Sequence, residues 1–308
     1  MVETTRLGII LVNYKSIDET IDYCMKELGK IQEDYVLVIV NNSSDEYSNS
    51  KISKTLDCTI IQCKESEIEQ NVNCESNRFL LSFKENLGYA KGNNRGINFL
   101  IKNFPGIEYF LITNNDIKLL NKNIIDSLIK DLESDENIGM IGPKIIGIDG
   151  KDQSPHRKLS FNQLMIYPKL FYPFWLLLYK LKLIKTEVIE NAENGYYYRI
   201  MGSFMILKKE SFILSGGFDE NTFLYAEELI LSDRMRKKGY GTYFQPIVSI
   251  LHNHGNVTKK TLEREKQMEI YNNSMIYYFR TYRNTSSLAI KLFHFSYYIY
   301  NKFYLKFR

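Results

Sequence analysis

The sequence predicts an α/β fold: a mostly parallel sheet flanked by helices, with a helical C-terminal extension. Apolar runs alternate with segments of helical period through the first half of the 308 residues. Polar clusters close three of those runs, at Asn13, at Asn41 to Asp45, and at Asn114 to Asp116. From about Lys260 onward the chain reads as helical, basic and aromatic.

Each element has a local reason. Leu7 to Tyr14 (LGIILVNY) is a continuous apolar run, as expected of a strand buried on both faces. Ser16 with Glu19 three residues later makes a capping box. Ile17, Ile21, Cys24 and Leu28 then recur at helical spacing, and Gly29 is placed to close that helix. Tyr35 to Val40 reads as a second strand and Phe79 to Phe83 as a third. A helix from about Ala90 to Asn103 follows the glycine-rich GYAKGNNRG, and Tyr109 to Thr113 is a fourth strand. Further on, Met140 to Ile148 and Arg199 to Leu207 read as strands. Leu229 to Lys238 is a helix ended by Gly239, and Thr242 to Leu251 is the last strand.

Composition narrows the class. With 44% hydrophobic and 25% charged residues the chain is a globular protein. Its net charge of +4 does not indicate a nucleic-acid partner. Cys24, Cys58, Cys63 and Cys74 form no CxxC pair and read as reduced thiols, which predicts a cytoplasmic protein. The N-terminal apolar run lacks a signal-peptide cleavage site. No segment reaches the roughly 18 apolar residues of a membrane span.

The chemistry-bearing residues lie at strand ends. Ligands of parallel sheets bind at the carboxyl ends of the strands. In Asn114-Asn115-Asp116 one carboxylate can hold Mg²⁺ or Mn²⁺, with water and a diphosphate as the other ligands; a polar strand-to-loop turn is the plainer alternative. Asn41, Ser43 and Asp45 offer polar groups to a base or ribose, or cap a helix. Gly88, Lys91 and Asn94 lie in ENLGYAKGNNRG, where a helix N-terminus favours phosphate. His252 and His254 follow the last strand and are candidates for the metal or a phosphate. In GGFDENTFLYAEE an aromatic run delivers Glu227-Glu228, and carboxylates in such surroundings become good general bases.

In this order, VNYKS, VNNSSD, ENLGYAKGNNRGI, LITNNDI, IGPKI, GSFMILKKESF, GGFDENTFLYAEE and HNHGN resemble the family-2 glycosyltransferases, and within them the rhamnosyltransferase-like bacterial branch. The resemblance covers roughly Leu7 to Asn256. It implies the Rossmann-like GT-A fold in residues 1–256, with 257–308 as the extension. It also implies an inverting, metal-dependent transfer of a sugar, such as rhamnose, from a nucleotide-diphospho-sugar to a glycan or lipid-linked acceptor in surface polysaccharide synthesis. Asp116 matches the metal-binding acid and Glu228 the catalytic base, with Glu227 beside it. Asn41 stands where many members have a base-contacting Asp. Asn13, Asn114 and Asn115 fall on the donor side. Gly202, Phe218, Asp219 and Glu220 fall on the acceptor side. Ile230 stands where many relatives carry a further acid.

Two other readings stand beside this one. A sugar-phosphate nucleotidyltransferase would need a basic glycine-rich loop after the first strand, which VNYKSIDET lacks. A non-catalytic nucleotide- or glycan-binding subunit is the other. Residues 159–185 and 271–308 mix aromatics with Lys/Arg, which suits an anionic membrane surface; packing on the domain or a homodimer interface are the alternatives.

Overall fold

The computed structural model describes residues 5–42, 44–63, 76–253 and 264–303. Cys74, Ser43 and His254 lie outside them. A ten-stranded sheet runs β3-β4-β2-β1-β5-β9-β7-β10-β6, with β8 paired to β10. The strands are β1 (Leu7–Tyr14), β2 (Tyr35–Asn42), β3 (Thr59–Gln62), β4 (Arg78–Phe83), β5 (Tyr109–Thr113), β6 (Ile117–Leu119), β7 (Ile138–Gly147), β8 (Gly195–Tyr197), β9 (Phe204–Lys208) and β10 (Gly241–His252). The half containing β1 to β5 is parallel, and β7 pairs β10 in parallel. β9 runs antiparallel to both β5 and β7 and joins the two halves.

The flanking helices are α1 (Ile17–Lys26), α2 (Glu46–Leu56), α3 (Gly88–Asn103), α4 (Ile124–Ser134), α7 (Lys209–Leu214) and α8 (Glu227–Lys237). Residues of α1, α2 and α4 share one apolar core with one face of the sheet, and residues of α3, α7 and α8 a second core with the other. With both faces covered, β1, β2 and β5 are buried almost throughout, so they carry near-continuous apolar runs. Gly96 lets α3 seat closely, since a Cβ there would come within 2.7 Å of Ile10 Cγ2.

Between β7 and β8 the chain forms a π-helical turn (Asn162–Ile166), α5 (Tyr167–Leu170) and α6 (Tyr172–Lys180). The extension is two helices, α9 (Arg264–Arg283) and α10 (Ser287–Phe303). A third apolar cluster binds it to the body: Phe161, Met165 and Ile166 meet Leu229, Ile230, Met275, Tyr278, Phe279 and Phe293. Ile230 is fully buried there, which accounts for an apolar residue at that position.

Several local expectations are corrected. Ser16 does not cap α1; its hydroxyl donates to Asn13 Oδ1 at 2.9 Å. Gly29 lies inside a short 3₁₀ turn after α1 has ended. The capping box belongs to Asp45 and Ser48 at the start of α2. Arg199 makes only an isolated bridge to His156, and β9 begins at Phe204.

Candidate active site

At the carboxyl ends of β1, β2 and β5 opens a cavity of about 840 Å³. Of the sequence-derived candidates, Gly88, Asn114, Asn115, Asp116, Gly202, Glu227, Glu228 and His252 line it. Asn13, Asn41, Asp45, Lys91, Asn94, Phe218, Asp219 and Glu220 do not.

The second group has structural reasons for its placement. Asn13 and Asn41 are register partners on β1 and β2, and Asn13 Nδ2 donates to Asn41 Oδ1 at 2.6 Å. Asn41 Nδ2 donates to Ser48 Oγ and Asn49 Oδ1, so its amide is spent inside the fold. Asp45 accepts from the Ser48 backbone N–H as a helix cap, and that bond holds its carboxyl below the ordinary range. Asn94 clamps the GGFD turn: its amide donates to the Phe218 carbonyl and its oxygen accepts the Phe218 N–H. Phe218 packs on Phe212 in the core, and Glu220 pairs with Arg95. Asp219 is 3% exposed and accepts from the Tyr277 and Tyr282 hydroxyls at 2.8 and 2.5 Å. It ties α9 to the body.

Strand alternation explains what replaces Asn41. Consecutive residues of a strand face opposite ways, so Asn42 turns to the other face and lines the cavity. Its Nδ2 donates to the Gly88 carbonyl, and its buried Oδ1 has no hydrogen-bond partner among the described residues. Gly88 must be glycine: its φ is +78°, and a Cβ would stand 2.3 Å from the Phe223 carbonyl oxygen.

Asp116 and His252 meet across the antiparallel pairing of β6 with β10. His252 Nε2 is 3.3 Å from Asp116 Oδ1, a buried oxygen with no hydrogen-bond partner among the described residues. His252 Nδ1 lies 2.7 Å from Gln153 Oε1; in the tautomer that donates Nδ1–H to this oxygen, the Nε2 lone pair faces Asp116. A carboxylate oxygen lacking a donor, facing an imidazole nitrogen oriented from behind, suits a divalent cation with few protein ligands. No cluster of three or more His, Cys, Asp or Glu fit for a metal exists among the described residues. Asn115 Nδ2 donates to Ser16 Oγ at 2.8 Å and braces this strand end against α1.

Glu227 and Glu228 open α8. Tyr225 and Ala226 just before them hold φ of 74° and 70°, a left-handed conformation costing roughly 1–2 kcal/mol per non-glycine residue. That strained corner turns the helix start into the cavity. Glu227 is 3% exposed. Burial first, and the neighbouring Glu228 charge second, push its carboxyl well above the glutamate range. Glu228 Oε1 accepts from Arg199 at 2.7 Å, and Arg199 also pairs with Glu187. Burial works against the Arg199 charge, but Glu187 and Glu228 outweigh it and raise its pKa. Gly202 lies against Glu228: a Cβ there would stand in ordinary contact, 3.5 Å from Glu228 Oε2. Tyr89 donates to the Gly202 carbonyl at 2.8 Å. Burial, then the charges of Glu227, Glu228 and Asp116, raise its pKa.

Asn42, Tyr89, His156, Glu187 and Arg199 were missed by sequence reasoning. Burial and the Arg199 charge hold His156 well below its ordinary pKa, and it faces the cavity as a neutral ring. One signal was available: Arg199 is a lone cation before the small-residue turn Gly202-Ser203 and an apolar strand.

Comparisons with known proteins bear on this arrangement. No protein-family model matches the chain. Over 184 residues it is 27% identical to the N-acetylglucosaminyl-diphospho-decaprenol L-rhamnosyltransferase of Mycobacterium tuberculosis, in both strain CDC 1551 / Oshkosh and strain ATCC 25618 / H37Rv. The match spans 58% of this chain and 60% of the length of those relatives. Among solved structures, the mannosyltransferase PcManGT from Pyrobaculum calidifontis in complex with GDP-Man and Mn²⁺ superposes with a TM-score of 0.54 at 14% identity, over 96% of this chain and 69% of that one. GalNAc-T7 with UDP, GalNAc and Mn²⁺ gives 0.51 at 12% identity, over 82% and 44%. TarS of S. aureus gives 0.50 at 10% identity, over 97% and 44%. The chain has the GT-A fold, and its sequence resembles the family-2 glycosyltransferases of the rhamnosyltransferase-like branch.

Proposed function

We propose that this chain is an inverting, metal-dependent glycosyltransferase. It moves a sugar, rhamnose being the first to test, from a nucleotide-diphospho-sugar to a glycan or lipid-linked acceptor in polysaccharide synthesis. The observation that carries this reading is the meeting of Asp116 with Glu227-Glu228 in one cavity at the carboxyl ends of the strands.

Asp116 and His252 would hold a Mn²⁺ or Mg²⁺ ion. When bound, such an ion neutralises charge on the donor's diphosphate. The remaining work falls to the chain's own groups. Asn42 Oδ1 is available to accept a hydrogen bond from the donor. Glu228 takes the proton of the acceptor hydroxyl as its oxygen bonds to the anomeric carbon. The bond from that carbon to the diphosphate oxygen breaks, and its electron pair leaves with the nucleoside diphosphate. Single displacement inverts the carbon, through an oxocarbenium-like transition state of the kind met in glycoside hydrolysis. Arg199 and Glu187 orient Glu228 for this step. Glu227 keeps its proton and sets the entry of the helix.

A panel of TDP-rhamnose, UDP-glucose and UDP-galactose with Mn²⁺, read by thermal shift, tests the reading. A cognate donor at 100 times its Kd stabilises by about 2.7 kcal/mol, which raises Tm by several degrees. No shift with any nucleotide sugar would count against it. A donor that binds without turnover would favour a non-catalytic subunit.

A further inference from the structure

Helix α6 (YPFWLLLYK) is apolar around most of its circumference, yet none of its residues is buried. A helix of that kind ordinarily lies inside a protein or a membrane. Phe174 is 62% exposed, and Leu183 just beyond the helix is 69% exposed. Helix α10 buries only Phe293 and Ser296, leaving Leu288 77% and Phe295 57% exposed. The Tyr172 and Tyr300 rings meet at 5.0 Å, so the two helices join in one surface.

This surface carries charge of one sign. No Asp or Glu occurs from Gln153 to Thr186, nor from Tyr271 to Arg308. Lys180, Lys182, Lys185, Lys291 and Lys302 are all exposed. Lys302 Nζ stands 5.7 Å from the Tyr298 ring and 5.5 Å from Phe303, its stem lying along aromatic surface. By contrast α9 faces inward, with Met275, Tyr278 and Phe279 buried and the Tyr277 and Tyr282 hydroxyls bonded to Asp219. Among the described residues, no helix is long and apolar enough to cross a membrane.

We propose that α6, the segment following it to Lys185, and α10 form one docking surface for an anionic lipid bilayer. Their aromatic and leucine side chains enter the headgroup boundary, and the lysines meet lipid phosphates. The basic charge favours lipid over a second copy of the chain, because two copies of this face would repel. This narrows the broader basic-aromatic tail to α10, and it stands independently of the proposed sugar transfer.

Co-sedimentation of the full chain with phosphatidylcholine vesicles, with and without phosphatidylglycerol, tests it. The wild type is expected to sediment with the anionic vesicles, and to be released when about 1 M salt shortens the screening length to about 3 Å. Lys180→Glu with Lys182→Glu and Lys185→Glu should lower the bound-to-free ratio by at least about 100-fold, since each lysine contributes roughly five-fold at an anionic surface and each glutamate adds repulsion. Phe174→Ser with Leu177→Ser and Phe295→Ser should also release the protein. Unchanged circular dichroism and Tm show that both variants fold. Absence of wild-type binding to anionic vesicles overturns the proposal, as does wild-type binding by either folded variant. A soluble dimer that the serine substitutions split, without vesicle binding, overturns it in favour of self-association. Vesicle binding without sugar transfer would instead count against the proposed activity alone.

Discussion

Glu227→Gln should make the protein more stable, by an amount that grows with pH. Glu227 is buried, and one of its carboxylate oxygens has no hydrogen-bond partner among the described residues. Its folded pKa is raised, first by burial and then by Glu228. The sign follows from proton linkage. Between the unfolded glutamate pKa of about 4.3 and the raised folded value, the folded protein keeps a proton that the unfolded chain has lost. Stability therefore falls as pH rises through that window, by about 1.4 kcal/mol per pH unit for a full proton difference. Glutamine has the same shape and no charge to lose, so the variant escapes this slope. From pH 5 to 7 the gap should open by up to about 3 kcal/mol, or about 5 °C in Tm for a chain of this size. Urea unfolding of both proteins at pH 5, 6 and 7 measures it. Parallel stability curves, or a variant that loses ground as pH rises, would refute the reasoning.

Other consequences follow from single contacts. Arg199→Met leaves Glu187 and Glu228 facing each other without their shared cation, and should cost about 3 kcal/mol, read as a fall in denaturation midpoint. Asp219→Asn should loosen α9 by weakening its bonds to Tyr277, Tyr282 and Arg234; limited proteolysis within 264–283 should accelerate. Burial alone would raise the Asp219 carboxyl, but those tyrosines and Asn221 hold it low. Its stabilising effect is therefore present at neutral pH and lost as pH falls through the acid range. Gly88→Ala drives a methyl into the Phe223 carbonyl at a positive φ and should lower stability by about 2 kcal/mol or more, with weaker donor binding in the same thermal-shift assay.

Much of this site is local in sequence and therefore legible there. β1 and β5 announce themselves as apolar runs with polar ends, because parallel strands are buried on both faces and open only at their tips. Asp116, Gly88 and Glu228 sit at such tips or at the helix starts facing them. What escaped depends on the third dimension. Asn41 and Asn42 are adjacent, and only the facing of β2 decides that one braces the fold and the other meets the cavity. Asn13 and Asn41 look like ligand groups in sequence because a buried amide network uses the residue types a ligand site uses. Glu187 and Arg199 converge on Glu228 through loops whose course no periodicity encodes. β3 was missed because three of its four residues are exposed, so it lacks an apolar run. In sequence the GGFDE turn reads as facing the acceptor, but Phe218 and Asp219 point into the body, where the extension's tyrosines are needed to complete the carboxylate's bonds.

The most direct test is sugar transfer from a nucleotide-diphospho-sugar with Mn²⁺, at saturating donor, by wild type, Glu228→Gln and Glu227→Gln. If Glu228 is the base, its glutamine variant loses roughly 10²–10⁴-fold in kcat while still binding donor, and Glu227→Gln retains far more activity. A Glu228→Gln enzyme that turns over near the wild-type rate would contradict the account.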